Sequence, residues 1–314
     1  MFRKNSSKTL SVLFFILAVI AATLIYIDSS DEPGTFKTDI VEIDTAKITK
    51  LKIYPKATNH QEILLYRKDN KWNVTFDNKT YPASEMKVEG LIQTLAGLKA
   101  IRVAAQDESK WSEFKVDTSG TRVKVFQGDE QTLDIILGKF SFQQPRTMLS
   151  YVRLNGDENI YEVNGLLELS FNQKADGFRN NIIVSDNSNN WESLSFTYPA
   201  DSSFKLVKDT SGHWYVGTNK TDSAKTAAYL NTLSRLSSSD FIEPESGLLN
   251  NQKYGLYIET SGTEKSAGGK GTIVISGFGD LPVIHSSQNP ESYFNGSFND
   301  LWKKIFIGKD ALFN

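Results

Sequence analysis

The first strong pattern along the chain is an unbroken apolar run from Leu10 to Ile27, in which LSVLFFILAVIAATLIYI carries no charge. Wound as an α-helix, these 18 residues span roughly 27 Å, close to the thickness of a bilayer core. Arg3, Lys4 and Lys8 precede the run, and Asp28, Asp31 and Glu32 follow it. The excess of cations on the leading side predicts a cytoplasmic stub at 1–9, a single-pass anchor at 10–27 and an extracytoplasmic ectodomain beyond. A cleaved signal peptide would have a shorter apolar core ending in small residues. Here Ala18 to Ala22 lie inside the run, with Leu24, Ile25, Tyr26 and Ile27 still to come. Ser29 to Thr38, SSDEPGTFKT, has the composition of a short linker.

Further on, the apolar period alternates between two and about 3.6. ITKLKIYP (Ile48 to Pro55) reads as a strand, EILLYRKDNKWNV as a hairpin turning at Asp69 and Asn70, and VEGLIQTLAGL as a helix with Leu91, Ile92, Leu95 and Leu98 on one face. The same succession returns later. LSFTYP (Leu194 to Pro199) is a strand, FKLVKDTSGHWYV turns at Asp209 to Gly212, and TAAYLNTLSRL aligns Tyr229, Leu230, Leu233 and Leu236. Trp72 and Trp214 occupy the same place in the two hairpins, as core residues would. After each helix come more short strands. Hairpins turn at Gly128 and Asp129 and at Asn155 to Asp157, and the second copy offers KYGLYIET, GTIVISGF and LPVIHSS. Tight turns imply antiparallel pairing. The expected class is therefore α+β: a transmembrane helix, then two tandem related modules, each of antiparallel hairpins with one amphipathic helix. The predicted boundaries are a linker and lead-in at 28–46, a first module at 47–184, a polar linker SDNSNN at 185–190 and a second module at 191–314.

Composition narrows the function classes. With 39% hydrophobic residues the chain can build substantial cores. The formal charge of -2 becomes three units more negative once Arg3, Lys4 and Lys8 are set aside. Nothing here would neutralise a nucleic acid, and no net field draws the ectodomain toward anionic lipid, so it is expected to stand off the surface. Cysteine is absent, which removes disulfides, thiolate ligands, cysteine nucleophiles and lipidation at cysteine.

The search for chemistry singles out no catalytic, cofactor-binding or metal residue. His60, His213 and His285 stand apart, with no metal-ligand spacing around them, and no Gly-x-Ser-x-Gly elbow occurs. Gly268, Gly269, Lys270 and Gly271 lack the spacing of a phosphate loop and read as a hairpin loop. The pairs Asp129-Glu130 and Asp157-Glu158 fall on turn tips, where carboxylates are solvated. SSQNPESYFNG (Ser286 to Gly296) is the most unusual polar stretch, and Asn289, Tyr293 and Phe294 make it a candidate recognition loop; the plainer reading is a loop pinned by two aromatics. FNDLWKKIF reads as a short amphipathic helix. Asp44-Thr45-Ala46 and Asp222-Ser223-Ala224 match an O-glycosylation tripeptide of some envelope bacteria.

DTAKITKLKIY, RKDNKWNV, LIQTLAGLKAIRV, LDIILGKF, YVRLNGDENIYEV and FNQKADGFRN follow one another in an order that resembles the domain of unknown function 4340 (DUF4340) family. The resemblance covers roughly Asp44 to Asn181, plus a degenerate second copy, and carries no catalytic signature. It implies membrane-anchored proteins often associated with gliding-type ABC transport systems as an auxiliary extracytoplasmic component. The resulting expectation is a non-catalytic accessory or scaffold protein of the bacterial inner membrane, held in lipid through 10–27, with a periplasmic ectodomain and an ABC transporter permease or auxiliary subunit as partner. The alternative is an anchored envelope hydrolase or a glycan- or peptide-binding module, which would need a pocket gathering ionisable groups with perturbed pKa values.

Overall fold

A computed structural model describes residues 38–143, 147–244, 252–261, 271–278 and 282–313. The expected stub and anchor, and Gly268 to Lys270, lie outside these residues. Among the described residues no helix is long and apolar enough to cross a membrane.

The first half folds as β1 (Ile48–Tyr54), β2 (Ile63–Lys68), β3 (Lys71–Phe76), β4 (Lys79–Pro82), α1 (Glu85–Ala96), β5 (Ala100–Ala105), α2 (Trp111–Phe114), β6 (Thr121–Gln127), β7 (Glu130–Gln143), β8 (Thr147–Leu154), β9 (Ile160–Asn164) and α3 (Leu167–Phe171). Alternation does what period two requires: Leu51 and Ile53 of β1, and Val123 and Val125 of β6, point into one core with Trp72 and the buried face of α1. Asp69 and Asn70 both have positive φ, 51° and 60°, the geometry of a two-residue hairpin turn whose twist matches its strands. Asp77 and Asn78 repeat it between β3 and β4, with φ of 49° and 60°. All pairings are antiparallel, and the order is β4-β3-β2-β1-β6-β7-β8-β9-β5.

The second half contains β10 (Ile182–Ser185), β11 (Trp191–Thr197), β12 (Phe204–Lys208), β13 (Trp214–Val216), β14 (Asn219–Lys220), α4 (Ser223–Leu233), β15 (Arg235–Ser237), β16 (Phe241–Ile242), β17 (Gln252–Thr260), β18 (Gly271–Phe278), β19 (Val283–Ser286), β20 (Asn289–Asn295) and α5 (Leu301–Ile305). Its sheet runs β14-β13-β12-β11-β17-β18-β19-β20-β16. That is the first order again, position for position, with α4 where α1 stood. A separate core holds Trp191, Leu194, Phe196, Leu233 and Ile305. The C-terminal segment was expected to form a short amphipathic helix; α5 does so, and its Trp302 lies so close to Gly277 that a Cβ there would come within 2.6 Å.

Several expectations change. Leu236, expected on the face of the second helix, lies in β15, beyond the end of α4 at Leu233. Ile182 to Val184, read as the end of the first module, and Ser185, read as the start of the linker, form β10, which pairs with β15 and places Ile183 and Val184 in the second core. These side chains are apolar enough to be drawn into whichever core is nearer, and the pairing with β15 together with the bond from Ser286 Oγ to the Ile183 carbonyl at 2.5 Å holds them at the second. The stretch read as a recognition loop is strand β20. Its burial alternates as a strand's does, with Ser292 and Phe294 inward, and Asn289 is buried as well.

Register also leaves one hairpin overhanging. β6 begins at Thr121, opposite Leu137, while β7 continues to Gln143 with β8 as its partner.

Candidate functional site

A cluster of charged and aromatic side chains lies where the two sheets meet, around a cleft of ≈ 520 Å³. Its central residue is Arg179, from the FNQKADGFRN segment. Phe171 and Phe178 anchor that segment in the first core. Between them a turn at Ala175–Gly177 brings the chain back to β4, where Ser84 N donates to Phe178 O at 2.9 Å and Asn180 N to Pro82 O at 2.8 Å. These bonds fix the Arg179 backbone and aim its side chain across the junction.

The guanidinium lies between two rings, 3.6 Å from the centroid of Tyr81 in the first sheet and 3.9 Å from that of Phe241 in the second. Nη1 donates to Asp176 at 3.1 Å and Nη2 to Ser292 Oγ at 3.2 Å. The Arg179 side chain is 6% exposed against 57% for Asp176, and Nε is buried without a hydrogen-bond partner. A cation held by two aromatic faces in a desolvated place is favourable, while the orphaned Nε opposes it. Beside it, Glu243 accepts from Lys79 Nζ and from the Tyr81 hydroxyl. The bond from Lys79, then that from Tyr81, holds the Glu243 carboxyl below its ordinary range. Burial, then the bond to Glu243, pushes the Tyr81 phenol up. Arg179, Asp176, Lys79, Tyr81 and Glu243 each have an internal partner, and the rim pair of Lys79 and Glu243 is exposed enough to be screened.

The expected recognition residues serve this junction from behind. Asn289 Nδ2 donates to the carbonyls of Asn180 at 2.7 Å and Ile182 at 3.2 Å, gripping the segment that links the sheets. Phe294 is fully buried and packs on Phe241 at 5.2 Å between centroids. Tyr293 lies against His285 at 4.9 Å. The three expected residues therefore do not form one exposed surface.

A second cleft, also ≈ 520 Å³, opens within the first sheet and is lined by Tyr54, His60, Trp111, Asp117, Arg122 and Arg153 among others. Arg153 stacks on Trp111 at 3.7 Å, its Nε donates to the carbonyl of Val116, and its Nη1 donates to those of Leu154 and Asp157. Arg122 grips Asp134 with two bonds of 2.7 and 2.6 Å. The Tyr54 hydroxyl donates to Glu62 at 2.6 Å, and burial followed by that bond raises its pKa. His60 is in this cleft, His213 beside Asp209 in a hairpin, and His285 in β19, so the histidines stay apart. Among the described residues no group of three or more His, Asp or Glu could hold a metal ion. Asp157, expected to be solvated, instead accepts from Asn159 N and from the Tyr161 hydroxyl, closing its own turn. Both glycosylation-like tripeptides open helices: Asp44 accepts from Ala46 N, and Asp222 from Lys225 N at the start of α4.

Sequence reasoning missed Arg179, Tyr81 and Phe241. The available signal was a lone arginine after the buried Phe178, in a segment too rich in small and polar residues to be a strand.

The fold and junction define a protein of two like-ordered antiparallel sheets joined through a buried arginine. The family model described as "Domain of unknown function (DUF4340)" matches residues 75–256, more than half of the chain, and the chain belongs to that family. The match runs from β3 into β17, so it includes the whole junction segment. No curated protein matches the chain. No solved structure matches it either.

Proposed function

We propose that this protein is a non-catalytic, membrane-tethered accessory or scaffold subunit whose two sheets, copies of one unit, present a fixed surface to other envelope proteins. The observation that carries the reading is the use made of the charged groups in the junction cleft. Arg179, Asp176, Lys79, Tyr81 and Glu243 are bonded to one another or to the opposite sheet, which suits a clamp better than an acid-base pair. The apolar run at 10–27 supports a single-pass helix in the bacterial inner membrane with the sheets on the periplasmic side. Family resemblance makes the permease or an auxiliary subunit of an ABC-type transport or gliding-related complex the first partner to test.

Crosslinking in native membranes, followed by identification of what is captured, tests this. Transporter subunits joined to the full chain support the reading, as does retained function when His60, Asp176 or Ser292 is replaced singly by alanine. Loss of function from one such change with folding intact overturns it in favour of an anchored hydrolase. A second reading, a glycan- or peptide-binding module, is favoured by the cleft in which Tyr54, His60 and Trp111 combine rings with hydrogen-bonding groups.

A further inference from the structure

Four large apolar side chains that remain exposed, Phe140, Phe142, Met148 and Leu169, gather at one end of the first sheet. Register explains the first three. Phe142 pairs with Met148, Phe140 with Ser150, and Leu137 with Val152, so all share the face that turns into the first core. Among the described residues, that face has no neighbouring strand beyond Thr121 on one side and Asn164 on the other. Leu137 and Val152 are fully buried, whereas Phe142 is 68% exposed. Phe140 and Phe142 meet edge to face at 5.6 Å. Leu169 belongs to α3, which packs on β7 and follows Gly165, whose N–H donates to Met148 O.

We propose that this tip enters the interfacial layer of the bilayer spanned by Leu10 to Ile27, as a second contact that sets how the first sheet stands on the membrane. The inference rests on the anchor reading above. The described chain begins beside the same row of the sheet: Ala100 N donates to Thr38 O, Ala100 pairs with Val163, Val163 with Ser150, and Ser150 with Phe140. Residues 28–37 reach at most about 35 Å when extended and roughly 17 Å as a coil, so the tether keeps that row near lipid. Phe142 extends about 7 Å past it. The opposite end of the sheet is also within reach, but it presents Asp129, Glu130, Asp157 and Glu158.

Size decides between lipid and protein. Four partly exposed side chains offer on the order of a few hundred Å², below the ~800 Å² that each partner of a standard specific protein interface buries. A tip already tethered beside the bilayer needs no more, because the anchor supplies the effective concentration. The net acidic ectodomain is not attracted electrostatically, so the contact is apolar and persists in neutral lipid.

The chain has no cysteine, so single labels are unambiguous. Full-length Ala18→Cys, Phe142→Cys and Val207→Cys, each carrying an environment-sensitive fluorophore, are reconstituted in phosphatidylcholine vesicles with and without doxyl lipid. Expected are blue-shifted emissions at 18 and 142, both largely lost to doxyl lipid, and an unaffected, water-like emission at 207 in the second sheet. A 142 signal matching 207 while 18 is quenched overturns this inference alone. An unquenched 18 overturns the anchor reading and the inference with it. A 142 signal that is blue-shifted yet unquenched places protein on the tip, a second copy or a partner, and also overturns it.

Discussion

Truncating Arg179 is the sharpest test of the junction. In Arg179→Ala the guanidinium leaves the Tyr81 and Phe241 rings, contacts worth about 1–2 kcal/mol each when desolvated. Its bond to Ser292, from a charged donor, adds about 1.5–3 kcal/mol. The ion pair with Asp176 adds at most about 1 kcal/mol, because the carboxylate is more than half exposed. Against these, removing the buried and unpartnered Nε recovers about 1–3 kcal/mol. The net cost is about 3 kcal/mol, and it falls on the union of the sheets more than on either core. Arg179→Met loses the same charged contacts but keeps an apolar stem and a polarisable sulfur between the rings, so it should cost less than Arg179→Ala. Trp72 and Trp191 are fully buried, one in each core, and make tryptophan emission a reporter of both. Urea denaturation of the full chain in mild detergent, with hydrogen exchange resolving the halves, should show one coincident transition for wild type and two separated ones for Arg179→Ala. Coincident, unshifted transitions in Arg179→Ala, or a methionine variant as unstable as the alanine one, would refute the argument.

Other consequences follow from particular contacts. Gly138→Ala should destabilise the first sheet by roughly 2–3 kcal/mol, since a Cβ there would stand 2.3 Å from Phe114 O and 2.6 Å from Val116 Cγ1; a thermal melt with an unchanged midpoint would contradict this. The Glu243 carboxyl is held below its ordinary 4.5 by Lys79 and then Tyr81, so its contribution is present above that pH and disappears as pH falls through the lowered value. Tyr81, raised above 10.0 by burial and then by Glu243, contributes fully below pH 10 and loses that contribution as pH rises beyond it. Stability measured against pH should therefore be lost at both edges, with Glu243→Gln flattening the acid edge and added salt shrinking the difference. Asp222→Ala should cost about 1 kcal/mol through the lost cap of α4, visible in denaturant midpoints.

Much of the fold was legible because its signals are local. Asp69-Asn70 and Gly128-Asp129 mark hairpins by backbone preference, and the spacing of Leu91, Ile92 and Leu95 marks a helix face without reference to anything distant. The strand-hairpin-helix succession recurs along the sequence, and the two nine-stranded sheets have the same strand order. What stayed hidden depends on pairing across long separations. Whether Ile183 and Val184 enter the first or second core depends on pairing with β15, roughly fifty residues away, and on contacts such as that of Ser286, about a hundred residues away. Asn289 in a polar run reads as a loop until its partners, Asn180 and Ile182, are known. Arg179 could be weighed only once Tyr81 and Phe241, from different sheets, were seen on either side of it.

The repeat itself separates what the architecture needs from what has been added. The second sheet completes the same nine-strand order with β18 and β19 of eight and four residues, where β7 and β8 have 14 and eight. The extra length in the first sheet is therefore not required to close the fold, and it carries Phe140, Phe142 and Met148 into water. Apolar side chains this exposed, in contact chiefly with one another, contribute little to folding. Replacing all three by threonine, which keeps strand propensity, should leave the unfolding midpoint within about 0.5 kcal/mol per site of wild type. The same variant in vesicles, with a fluorophore at Ser141→Cys, should lose the lipid quenching that a Ser141→Cys chain retaining its apolar tip displays. If the triple variant unfolds several kcal/mol earlier, the side chains support the sheet itself and the overhang has a structural explanation; if it folds normally and still quenches, the contact with lipid does not depend on them.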